Sequence, residues 1–186
     1  MISVGFKGIV ETTIEHSDGR IEKDVHSNLI TALTPFAMGL EPWDDNAGGA
    51  RPPLGIKEII FGTNPTPPTF QQDIGIMTPV VTKTFSDWNS GVGTIMTSNM
   101  GQIWCLWAGK FELLESEGNG STIHEMGLIY HYHSASLIKF LFARIVRAPI
   151  VKTNTMKVTV KWYICAQNPE LAPVPDVTFI DPDIIP

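Results

Sequence analysis

The stretch MKVTVKWYIC, residues 156–165, places Met156, Val158, Val160, Trp162 and Ile164 on one side of an extended chain and Lys157, Thr159 and Lys161 on the other. Successive side chains of a strand point to opposite faces, so this period of two predicts a strand with one face in a core and one toward water. Working toward the N-terminus, residues 137–146, 123–132, 103–114, 94–98, 80–85 and 56–61 also read as strands, separated by turn-forming residues. Between residues 4 and 14 the large apolar side chains fall mostly on even positions (Val4, Phe6, Val10, Ile14), with Ile9 the exception. Asp18-Gly19 then predicts a hairpin, because type I′ turns need φ > 0 at both central positions, and a return strand runs through Ile21, Lys23 and Val25 to Asn28-Leu29-Ile30-Thr31.

Asn119-Gly120 is a second turn of this kind. With Ser121 it also spells a glycosylation acceptor, but the N-terminus offers no signal peptide, so the turn reading is preferred. Residues 32–40 predict a short helix with Leu33, Phe36, Ala37 and Leu40 on one face and Pro35 in its first turn. Residues 41–55 and the Pro/Thr run 65–69 read as loops. About eight strands and one short helix predict an all-β, antiparallel, jelly-roll-like β-sandwich over residues 1–166.

Composition narrows the classes further. The chain has 186 residues, of which 43% are hydrophobic and 17% charged, enough apolar mass for one core and too much for general disorder. Sixteen Gly and 14 Pro favour many short connections over a helical bundle. The net charge of −6 gives no basis for attraction to nucleic acid or to an anionic membrane. MISVGFKGIVETT lacks the continuous apolar stretch of a signal peptide and no run is long enough to span a bilayer, so the expectation is synthesis and use from the cytosol without processing. Cys105 and Cys165, 60 positions apart, suit two reduced buried thiols better than a disulfide framework or a zinc site.

Few residues suggest catalysis. His131 and His133 share a strand face with Glu125, which invites comparison with the metal-binding cupins, but the carboxylate expected three or four residues after the second His is absent. His124-Glu125 are neighbours on a strand and point to opposite faces, so they cannot act on one atom. Residues 117–122 contain two Gly but no P-loop lysine, and no G-x-S-x-G elbow occurs. The expectation is no catalytic residue, no metal and no cofactor. Among the five Trp, Trp104 and Trp162 lie in strand patterns and read as core, whereas Trp43 and Trp88 lie in loops beside acids and read as partner-contact residues.

After Ala166 the character changes. Residues 167–186 hold five Pro, four acids and no Lys or Arg, so this arm carries −4 and residues 1–166 carry −2. Its spaced hydrophobes, Leu171, Val174, Val177, Phe179, Ile180, Ile184 and Ile185, predict an extended segment lying on a surface, either of its own domain or of a neighbouring subunit.

The order of short landmarks resembles that of tailed-bacteriophage virion proteins. They are Asn28 to Thr31, Phe61-Gly62-Thr63 before a Pro/Thr loop, Glu125-Met126-Gly127-Leu128, Phe142-Ala143-Arg144, a turn at Pro149-Ile150-Val151-Lys152 and the strand Val158 to Ile164. The match covers about residues 5–166 and leaves out the loop 41–54 and the arm. The resemblance implies a non-catalytic β-sandwich subunit of a virion, located in the tail, neck or fibre attachment. Its implied partners are copies of itself in a symmetric homo-oligomer and other virion proteins. A capsid decoration protein and a carbohydrate-binding appendage are the alternatives.

Overall fold

The computed structural model describes residues 5–30, 55–68, 77–84, 95–96, 103–133 and 137–167. Eight long antiparallel strands form two four-stranded sheets packed as a sandwich. They are β1 (Gly5–His16), β2 (Ile21–Ile30), β3 (Gly55–Gly62), β4 (Pro79–Thr84), β6 (Ile103–Leu113), β7 (Thr122–His133), β8 (Leu137–Val151) and β9 (Met156–Gln167). A two-residue strand, β5 (Ile95–Met96), pairs with β6 at one edge. The hydrogen-bonded order is β4-β3-β7-β8-β2-β1-β9-β6-β5. No helix lies among the described residues. The helix expected at 32–40 falls outside them, as do Trp43, Trp88 and the arm from residue 168 onward.

The order is continuous because β2 serves both sheets. Residues 21–28 of β2 pair with β1, and its last two residues, Leu29 and Ile30, pair with Arg144 and Ala143 of β8. Thus the Asn-Leu-Ile landmark is where the chain crosses from one sheet to the other. The pairs β1–β9, β2–β8 and β3–β7 nest one inside another, while the hairpins β1–β2, β3–β4 and β7–β8 keep consecutive strands side by side.

The core lies between the sheets. From one side come Val10 and Ile14 of β1, Phe111 and Leu113 of β6, and Val158, Val160, Trp162 and Ile164 of β9. From the other come Ile59 and Phe61 of β3, Met126, Leu128 and Tyr130 of β7, and Phe140, Phe142, Ala143 and Ile145 of β8. Trp162 is fully buried, flanked in register by Val10 on one neighbour and Gly109 on the other, so a small residue stands beside the largest side chain. The period of two read in residues 156–165 is therefore the inner face of β9, and Lys157 and Lys161 lie on its outer face, where Lys157 pairs with Glu112 at 2.8 Å.

Two local expectations need correction in detail. The hairpin at Asp18-Gly19 forms as expected, but its loop is three residues, Ser17 to Gly19, closed by the His16 amide donating to the Arg20 carbonyl at 2.9 Å, with Gly19 left-handed at φ 86°. The expected turn at Pro149–Lys152 begins later, since β8 continues to Val151. Pro149 is tolerated because Arg147, Ala148 and Pro149 bulge out opposite His124, where no ladder bond requires its missing N–H. β9 ends at Gln167, which pairs with Gly5 and with Ile103.

Candidate functional site

The outer face of the β3-β7-β8 sheet is covered as well as the inner one. On β7 the alternation leaves Glu125, Gly127, Ile129 and His131 facing away from the core. On β8 a bulge at Phe142, where the register with β7 shifts between Leu128 and Ile129, turns Phe142 and Ala143 both inward. That one-residue shift moves Arg144 to the outer face, beside Glu125.

Glu125 and Arg144 form a fully buried ion pair, with Arg144 Nε donating to Glu125 Oε2 at 2.9 Å. The other carboxylate oxygen, Oε1, accepts from the Asn64 amide at 3.1 Å and the Thr78 amide at 2.8 Å. Arg144 Nη2 reaches the Asn64 carbonyl at 3.4 Å, and the Thr63 amide donates to the Thr78 carbonyl at 3.0 Å. One carboxylate therefore pins the segment after β3 to the segment before β4. Gly62 is required beneath it, because a Cβ there would collide with Glu125 Oε1 and come within 2.7 Å of the Thr78 carbonyl.

One step along the same face, Ile60, Ile129 and Leu141 make a small second cluster with Met77. Gly127 leaves room for Met77: a Cβ would lie 2.5 Å from its sulfur and 2.9 Å from Leu141 Cδ1. Beyond this cluster, Glu58 is shared by Lys139, at 2.7 Å, and His131 Nε2, at 3.3 Å. His131 and Glu125 share a face, as the strand period required, but Gly127 and Ile129 separate them and each has its own ion partner. Among the described residues no three His, Cys, Asp or Glu side chains are grouped to hold a metal ion.

The crossing from β6 to β7, residues 114–121, is held from two directions. Lys83 of β4 donates to Glu117 at 2.7 Å, and Glu117 also accepts from the Leu114 amide at 2.8 Å. Burial works to raise the Glu117 carboxyl, but these hydrogen bonds and the charges of Lys83 and Lys152 outweigh it and leave the group below its ordinary value. Lys152 is buried, and its Nζ donates to the carbonyls of Thr153 and Glu115 at 2.8 and 3.3 Å and to Asn119 Oδ1 at 3.3 Å. Its pKa is lowered by burial, against the raising effect of Glu115 and Glu117. Its backbone closes the same loop, accepting from the Gly120 amide at 3.0 Å and donating to the Ser121 carbonyl at 2.9 Å.

At Glu125 this arrangement supports the two loops. A general base needs a lone pair within reach of a substrate proton, and Glu125 directs both oxygens to Arg144 and to backbone amides. In the sequence, Arg144 stands out as part of the Phe142-Ala143-Arg144 landmark, and Glu125 as part of another and as a companion of His124 and His131; nothing in the spacing joins the two. Lys152 carries no signal beyond its place in the Ile-x-Lys landmark. The predicted partner-contact residues, Trp43, Trp88 and the seven hydrophobes of the arm, lie outside the described residues. No family model, no curated protein and no solved structure matches this chain.

Proposed function

We propose that the chain is a non-catalytic structural subunit of a tailed-bacteriophage virion, used in a tail, neck or fibre-attachment assembly. It joins its neighbours through the sandwich and the C-terminal arm. The observation that carries this reading is the convergence of short landmarks whose order resembles that of virion proteins. Gly62-Thr63, Glu125, Gly127 and Arg144 are dispersed over the chain, yet they act together to hold two loops against one sheet, around a single buried carboxylate. Dispersed residues with one common structural role are what a fold signature consists of. The ion pairs at Glu117 and the buried Lys152 add to this, because they fix the crossing between sheets, and a subunit that bears load benefits from fixed crossings.

The experiment is quantitative mass spectrometry of particles purified on a density gradient from a lysate of the strain that carries the gene. The proposal expects the chain in the particle band at a fixed ratio to the major capsid protein. Recovery from the soluble fraction alone would contradict it.

A further inference from the structure

The two cysteines stand 60 positions apart in sequence, yet the pairing of β6 with β9 sets Cys105 directly opposite Cys165. On its other side β9 pairs with β1, and there Lys7 stands opposite Cys165. Lys7, Cys165 and Cys105 therefore occupy one row across three adjacent strands. Opposed residues on antiparallel strands have Cα atoms about 4.5–5.5 Å apart. Disulfides span Cα separations of about 4.4–6.8 Å, so this register is within bonding range without displacement of either strand. Immediately after Cys105 the register of β6 shifts, with Leu106 as the extra residue before Trp107. A bulge increases the local bend and twist of its strand.

We infer that Cys105 and Cys165 are a redox-responsive pair, held as thiols under a reducing poise and closed to an intramolecular disulfide by a small disulfide oxidant such as oxidised glutathione. One cysteine thiolate attacks the oxidant and expels a first glutathione thiolate, which leaves a mixed disulfide on the protein. The second cysteine thiolate attacks the protein sulfur of that mixed disulfide and expels the other glutathione. Two protein thiols are oxidised by two electrons, one glutathione disulfide is reduced to two thiols, and the two protons released by the cysteines pass to the leaving thiolates. The bond staples β6 to β9 and encloses β7 and β8 in its loop, so it constrains strands of both sheets in the unfolded chain.

The test uses the full-length native chain, purified reduced and then equilibrated with oxidised glutathione, with remaining thiols alkylated under denaturing conditions before intact-mass analysis. The expected product is a monomer about 2 Da lighter than the reduced chain, carrying no alkyl group and yielding a peptide pair linked through Cys105 and Cys165. Its melting temperature should be higher by on the order of 5 °C or more and return to the starting value with dithiothreitol. Two alkylated thiols, a glutathione adduct as the end product, or a covalently linked dimer would each overturn the inference. Cys105→Ser and Cys165→Ser serve as controls that should show no oxidant-dependent shift. If either fails to fold, the covalent product of the native chain still decides.

Discussion

Glu125 receives one charged and two neutral hydrogen bonds away from solvent, so the effect of losing its partner differs from that of losing its charge. Arg144→Met leaves an uncompensated buried carboxylate and should cost about 3–5 kcal/mol in urea denaturation. Adding Glu125→Gln removes that charge while keeping an oxygen for the Asn64 and Thr78 amides, so the double variant should be more stable than Arg144→Met alone. A double variant no better than the single would mean that the pair does not hold the loops. The two glycines on this face should also separate. A methyl at Gly62 meets a backbone carbonyl and a pinned carboxylate, whereas one at Gly127 meets the flexible end of Met77 as well as Leu141. Gly62→Ala should therefore lower the melting temperature more than Gly127→Ala.

At the scale of the strand, the inner face of β9 carries the account. Val158, Val160, Trp162 and Ile164 are all fully buried, and Trp162→Ala should cost about 3–5 kcal/mol; an unchanged melting temperature would mean that the strand lies elsewhere. Strand positions were legible in the sequence because one face of each is wet or covered differently from the other, which leaves a period of two, and because Gly19 and Gly120 mark turns. The bulges at Phe142 and at Arg147–Pro149 were not legible: an extra residue reverses the parity of everything after it without changing composition, and so Arg144 could not be assigned to the face of Glu125 from spacing alone. Acid stability belongs to this scale too. Glu117 and Glu112 have pKa values held below the ordinary 4.5, Glu117 as described and Glu112 chiefly by its hydrogen bond from Lys157. Their stabilisation is complete above that value and is lost as pH falls through the lowered ones, so the melting temperature should fall below about pH 4.5. Lys83→Met should reduce that acid-dependent loss, and an unchanged profile would show that the Glu117 pair contributes nothing.

For the whole molecule, described residues between 5 and 167 form the core of the sandwich, and the segment after Gln167 carries four acids and seven spaced hydrophobes. Prolines that hold such a segment extended reduce the entropy lost on docking. If half of the seven side chains are buried on a partner at about 1.5–3 kcal/mol each, the gross gain is roughly 5–10 kcal/mol before ordering costs. The arm shows in the sequence by its composition, since an extended segment carries no period that marks where it lies. The cut that tests it belongs after Gln167, not before it, since Gln167 pairs with both neighbours of β9. The most direct measurement is size-exclusion chromatography with light scattering on the full-length chain and on a chain ending at Gln167, with circular dichroism on both. The account predicts a full-length oligomer and a truncated chain that keeps its β-sheet spectrum but dissociates. A full-length monomer, or a truncated chain that assembles as well as the intact one, would contradict it.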